Sequence, residues 1–261
     1  MTGRRASALL AALLLAVLPS AARAQDSTTV PPHRLLQLDA TRLAPLFRIY
    51  DIIVHGRDTA VTVGQRTVAM LPGSYAGVPA WRIIETRTGA IGGVDSLWLG
   101  ADARPLYWAS ALGAGRLTAQ FVNDTVYGMV AIGRVNRNIV LPVPPNTLAT
   151  TAMTDVLMAV FPLHAAWSDS ATVLDIHPSG ARVIPAEMIV VARESFETGV
   201  GPPVPVWVLA LRAPERQMLY WIEQSTGVPL RIQQNLPSHI GSRVEYRLRI
   251  VPPIRLLPFW H

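Results

Sequence analysis

The sequence predicts a mainly β fold: a curved antiparallel meander, half-barrel or barrel-like, with one short covering helix near 151–161. Three observations predict it. Apolar and polar residues alternate with a period of two along many short segments, and turn residues recur between those segments. In addition, Trp98-Leu-Gly-Ala-Asp-Ala-Arg-Pro105-Leu106 is echoed by Trp221-Ile-Glu-Gln-Ser-Thr-Gly-Val-Pro229-Leu230. Each echo reads as an aromatic strand end, a polar turn, and a Pro-Leu that opens the returning strand. Gly227 can supply the positive φ of such a turn, and proline fits a sheet only at a strand's first residue or edge.

The chain opens on Arg4 and Arg5, an apolar run from Ala8 to Leu18, and small residues at Ala22-Arg23-Ala24. That pattern predicts a secretory signal peptide over residues 1–24, cleaved before Gln25, and a periplasmic or secreted protein. The apolar run is about half of the ~20 residues a membrane-spanning helix needs. There is no cysteine. Disulfides are therefore excluded, as is lipid attachment through a thiol, and the core alone must hold the fold. Residues 25–43 are expected to form a mobile or irregular lead-in, 44–250 a single β domain, and 251–261 an apolar tail.

Within the domain, Arg116-Leu-Thr-Ala-Gln-Phe121 alternates cleanly, Asn123-Asp124 supplies a turn, and Val126 to Ile132 return. The last strand places Val244, Tyr246, Leu248 and Ile250 on a dry face and Arg243, Glu245, Arg247 and Arg249 on a wet one. Further strands are expected at Phe47–His55, Ala60–Met70, Ala80–Thr88, Val94–Leu99, Arg182–Arg193, Val204–Leu211, Gln217–Glu223 and Val228–Gln234. The run Val204–Leu211 is apolar on both faces, so part of the sheet should be covered on both sides. One helix interrupts them: Thr151 can cap it, Asp155 lies near its positive end, and Met153, Val156, Leu157, Val160 and Phe161 share a face. Pro162 stops it.

Twenty-three basic residues, all arginine, face 17 acidic ones, for a net charge of +6. Three arginines and no acid lie in the leader, which leaves +3 without it. The arginines are scattered, so a nucleic-acid partner is not expected. No catalytic constellation, metal-ligand spacing or cofactor motif is present. Leu71-Pro-Gly-Ser-Tyr-Ala-Gly77 has Pro72 where a nucleophile elbow needs glycine, and reads as a turn. The six histidines are isolated, and His55 falls at a strand end. Paired carboxylates could meet in three dimensions, for example Glu85 with Asp95 on neighbouring strands, and would support a hydrolase.

The aromatics remain. The tryptophans pack the core, or some of them line an apolar cavity. The lining candidates are Trp81, Trp98, Phe121, Met153, Met158, Phe161, Trp167, Trp207 and Trp221. Soft methionines beside aromatic rings suit a flexible acyl chain.

Several stretches carry a resemblance: Asp95-Ser-Leu-Trp-Leu with Arg104-Pro-Leu, the hairpin from Gly115 to Gly128, Phe161-Pro-Leu-His-Ala-Ala-Trp167, Val183-Ile-Pro-Ala-Glu187, Val206-Trp-Val, and Tyr220-Trp-Ile-Glu with Gly227-Val-Pro-Leu-Arg231. From Leu43 to Ile250 the chain resembles an uncharacterised group of exported bacterial proteins. That group is similar in fold to the periplasmic lipoprotein carrier and its outer-membrane receptor. The resemblance implies an unclosed half-barrel with helices over its concave side and acyl chains bound between. This chain has one helix where the carrier has several, and no ligand-binding residue transfers by motif. The expected function is an exported, non-catalytic β-protein binding a lipid or lipoprotein acyl chain. The alternatives are an envelope structural or protein-interaction module with a solid core, and a hydrolase built on strand carboxylates.

Overall fold

The computed structural model describes residues 38–250 without 90–91, 146, 178–179, 215 and 236–242. The expected leader, most of the lead-in and the apolar tail lie outside the described residues. A 3-10 turn at Ala40–Arg42 leads into the first meander: β1 (Leu46–His55), β2 (Ala60–Tyr75), β3 (Val78–Arg87), β4 (Gly93–Gly100), β5 (Pro105–Leu112), β6 (Gly115–Val122), β7 (Thr125–Ile132) and β8 (Val135–Pro142). The short β9 (Thr147–Leu148) and helix α1 (Thr151–Leu157) follow. The second meander comprises β10 (Ser168–His177), β11 (Gly180–Phe196), β12 (Val204–Ala213), β13 (Arg216–Glu223), β14 (Pro229–Asn235) and β15 (Arg243–Leu248).

All fifteen strands share one open sheet, ordered β8-β7-β6-β5-β4-β3-β2-β1-β15-β14-β13-β12-β11-β10-β9. Neighbours are antiparallel except for β9 against β10. The two meanders are joined at their outermost strands in sequence: β1 pairs β15, from Tyr50 opposite Leu248 to His55 opposite Arg243.

Several local expectations are corrected. Leu71–Tyr75 extend β2 against Val78–Arg82, and only Ala76 and Gly77 turn, both left-handed. Strands β8, β9 and β10 have no counterpart among the expected strands. The helix is shorter than predicted, and its cap is Thr150, whose hydroxyl accepts from the Met153 amide at 3.0 Å. The "wet" face of the last strand holds Glu245 with no exposure at all.

The echoed motif proves to be a shared loop geometry. The ladder is irregular just after each tryptophan, at Trp98/Leu99 and at Trp221/Ile222. Two residues before each proline the chain is left-handed, at Ala103 (φ 65°) and Gly227 (φ 69°). The amide one or two residues past each strand's bend donates across the loop: Gly100 to the Arg104 carbonyl at 2.8 Å, Glu223 to the Val228 carbonyl at 2.9 Å.

The sheet curls, so that β6–β8 meet β10 and β11 through Ala119, Val126, Ile139 and Leu174, with Ile176 and Val183 packed against them. Helix α1 fills the remaining concavity. Ala152 to Met158 are all buried, among Tyr50, Ile83, Leu97, Leu209 and Tyr220. Seven residues make too short a helix to stand alone. Its stability comes from burial, each side chain such as Met153 or Leu157 contributing about 1.5–3 kcal/mol. On β12, Val206 and Val208 to Leu211 are all buried, so that strand is covered on both sides as its sequence predicts.

Candidate functional site

The concave face is polar where β2, β3 and β4 cross it. Glu85 and Asp95 are register partners, as the sequence allowed. Each carboxylate is held by an arginine: Glu85 by Arg66 at 2.9 Å and Arg87 at 3.4 Å, and Asp95 by Arg87, with the Trp108 indole donating to Asp95 at 3.3 Å. The helix adds a third acid, Asp155, paired to Arg66. Arg66, Glu85 and Asp155 are each at most 2% exposed. Burial opposes the charge on Arg66, but Asp155 and Glu85 outweigh it and hold the guanidinium well above its usual value. For Glu85 the burial cost is overcome by Arg66, and its carboxyl is lowered. Asp155 is the loser in this sharing. Burial, with Glu85 nearby, pushes it up to about 6 against the pull of Arg66. Neither Asp155 oxygen has a partner with hydrogen-bond geometry. Arg66 also lies over the Tyr246 ring at 5.2 Å, and burial raises Tyr246, Tyr220 and Tyr50, the last to about 12. The cluster ties helix to sheet. Glu85 and Asp95 converge without leaving a free carboxylate pair for acid–base work.

A second ionic centre lies on the outer face. Glu245 meets Arg231 at 3.0 Å, Arg247 at 2.7 Å and His55 at 3.0 Å, and Gln233 donates to it at 3.3 Å. Burial works against its charge, but the Arg247 and Arg231 contacts dominate and hold it below the usual carboxylate range. His55, expected at a solvated strand end, is thereby a partner of the last strand. Arg231 in turn stacks on Trp221 at 4.6 Å, and the Trp221 indole donates to Glu194 at 2.9 Å.

A third feature, a cavity, lies elsewhere among the described residues. It holds about 590 Å³ and opens where β1 starts. Strand β15 pairs with β1 only from Tyr50 onward, so Leu46–Ile49 have no β15 ladder partner on that side. Here the Arg249 amide reaches the Ile49 carbonyl at 2.8 Å. The gap is walled by Leu43 and Leu46, Met70 of β2, Val156 and Ala159 of the helix segment, Thr226 and Val228 of the echoed loop, and Leu248. Phe47, 67% exposed, stands at its rim. Gly227 keeps the loop in place: a Cβ there would lie 2.5 Å from the Ala159 Cα.

None of the nine lining candidates borders this cavity. Met153, Met158, Phe161 and Trp167 are buried in the main core, and Trp81, Phe121 and Trp207 pack against it. Trp221 belongs to the outer cluster with Val206, Val208 and Leu230. Trp98 is on the outer face between Tyr75, at 5.9 Å, and Arg82, at 5.6 Å. The cavity residues are mostly small or aliphatic, and no motif in the sequence marks them. Their one legible signal is the Leu43-Ala-Pro-Leu-Phe47 run just before the alternation begins. Among the described residues no three His, Asp or Glu gather as metal ligands, and no helix is long and apolar enough to cross a membrane. No family model, curated protein or solved structure matches the chain.

Proposed function

We propose that this is an exported, non-catalytic protein that binds an apolar ligand, a lipid or acyl chain, against its curved sheet. The observation that carries the reading is the apolar cavity between α1 and the start of β1. Its volume falls within the ~300–1,000 Å³ typical of small-molecule sites, and its walls are aliphatic. Export rests on the leader pattern at residues 1–24. The test is native mass spectrometry of the protein purified without detergent, followed by uptake of an added labelled acyl chain after delipidation. The expected result is bound lipid or saturable uptake, lost when exposed Ala44 at the rim is replaced by Trp. A protein that neither carries lipid nor takes up the chain would sink the reading.

A second reading, an envelope interaction module, is favoured by one row on the outer face. Leu71, Arg82, Trp98, Tyr107, Gln120, Tyr127 and Val140 are successive register partners from β2 to β8. Tyr127 is 49% and Val140 69% exposed. A band rich in aromatic and apolar side chains, with Arg82 and Gln120 between them, suits a protein contact. Proteins captured from an envelope extract should then be lost from a Tyr127→Glu, Val140→Glu variant. An unchanged set of captured proteins would dismiss the band as a contact.

A further inference from the structure

The aliphatic cavity at the start of β1 is bordered by three arginines, Arg42, Arg48 and Arg249, and by no acidic residue. Arg249 is engaged, its guanidinium 2.6 Å from Asp51. The other two differ from the remaining arginines around the helix. Arg66 and Arg87 each face carboxylates within ion-pair distance. Arg48 is half-buried; its polar contacts are the Asp155 carbonyl at a long 3.5 Å and the Tyr50 hydroxyl, and it acts on the buried Asp155 carboxylate only from beyond ion-pair distance. Arg42 is exposed at the mouth, with no carboxylate within ion-pair distance among the described residues. A cation set against apolar walls is costly until a counter-charge reaches it. A guanidinium offers the planar fork that carboxylates and phosphates accept in two hydrogen bonds.

We propose that the occupant of this cavity is an anionic amphiphile, with its aliphatic chain along Leu43, Leu46, Met70 and Leu248 and its carboxylate or phosphate head held by Arg42 and Arg48. The proposal rests on the reading of the cavity as an apolar site and adds the sign of the ligand's charge. Two halves of one small site then have separate chemistry: the walls accept any chain, and the mouth selects the head.

The test uses the full chain and a fluorescent polyene fatty acid as reporter, displaced by hexadecanoate, hexadecyl phosphate, hexadecanol and hexadecyltrimethylammonium. These competitors share their chain and differ in head charge. Both anions should bind about tenfold or more tightly than the alcohol, and the cation more weakly still. The stronger of the two anions identifies the source as a free fatty acid or a lipid phosphate. In an Arg42→Gln, Arg48→Gln variant the anions should fall to the affinity of the alcohol, whose own binding stays at the wild-type value and shows that the site is intact. Equal affinities of alcohol and anions in the wild type would overturn the proposal and leave the apolar site standing. So would a preference for anions that survives in the double variant. Failure of every competitor and of the reporter to bind would instead remove the apolar site itself. Should the double variant not bind the alcohol, Arg42→Gln alone, at an exposed position, decides the question by the same comparison.

Discussion

Gly227 shows how one residue serves two constraints at once. Its φ of 69° lies in the region that costs an L side chain about 1–2 kcal/mol. Its missing Cβ also leaves room for the Ala159 Cα on the segment leaving the helix. Ala103, at the matching place in the other echo, bears the same conformation with a methyl group, so the loop geometry itself tolerates a Cβ. The close approach is what does not. Gly227→Val should therefore destabilise by about 2–4 kcal/mol, strain and overpacking together, read as a lower urea midpoint at unchanged slope. A loss under about 1 kcal/mol would mean that the loop moves away from the helix at little cost. The sequence showed the need for positive φ here, because Gly-x-Pro is a local signal. It could not show Ala159, which arrives from a different part of the chain.

At the scale of the element, α1 carries a charge that local rules misread. Asp155, expected near the positive end of the helix as a favourable partner for its dipole, lies beyond the first turn of the seven-residue helix. In the fold it is buried and competes with Glu85 for Arg66. Its carboxyl, pushed up to about 6, holds a proton more tightly in the folded state than in the unfolded chain, where about 3.9 is usual. The stability cost of its ionisation is thus complete above pH 6, and is relieved as pH falls from 6 towards 4. Glu85 and Glu245 have the opposite sign. Their lowered values contribute stability above the ordinary range near 4.5, and this is lost as pH falls through their folded values. Thermal stability should accordingly be greater near pH 5 than at pH 7.5, by about 1 kcal/mol. Asp155→Asn should abolish that difference. Melting curves at the two pH values check both points, and a wild type more stable at pH 7.5 would show that Asp155 stays ionised in the fold. The cap illustrates the same limit more mildly: Thr150 and Thr151 are equal in sequence, and only the backbone angles choose between them.

Across the whole molecule, the class of fold was legible because it is written in local alternation. Most strands lie within a few residues of where period two and turn residues put them. Strand β8 escaped because Val-Asn-Arg-Asn carries two amides and a charge on an exposed edge, and β10 because its faces do not alternate in polarity. The cavity was illegible for a different reason. Large aromatics announce themselves in a sequence, and in this fold none borders the cavity beside β1 except Phe47, while Trp221 lines a separate cavity on the outer face. The open volume lies where strands of unequal length leave a gap, which depends on where β15 stops along β1.

That pairing of first strand with last also has a consequence in time. His55 and Glu245 are 190 residues apart along the chain, and every other ladder in the sheet apart from β9–β10 joins chain neighbours. Each meander can zip up from its own hairpins, quickly and in any order, but the seam between them waits for the final strand to appear. Until then one edge of β1 stands open to wrong partners. The gap beside Leu46 acquires its far wall, Leu248 and Arg249, only at that closing step. That cavity is thus the last part of the molecule to come into being, and a chain shortened before β15 would have two sheets and no such cavity.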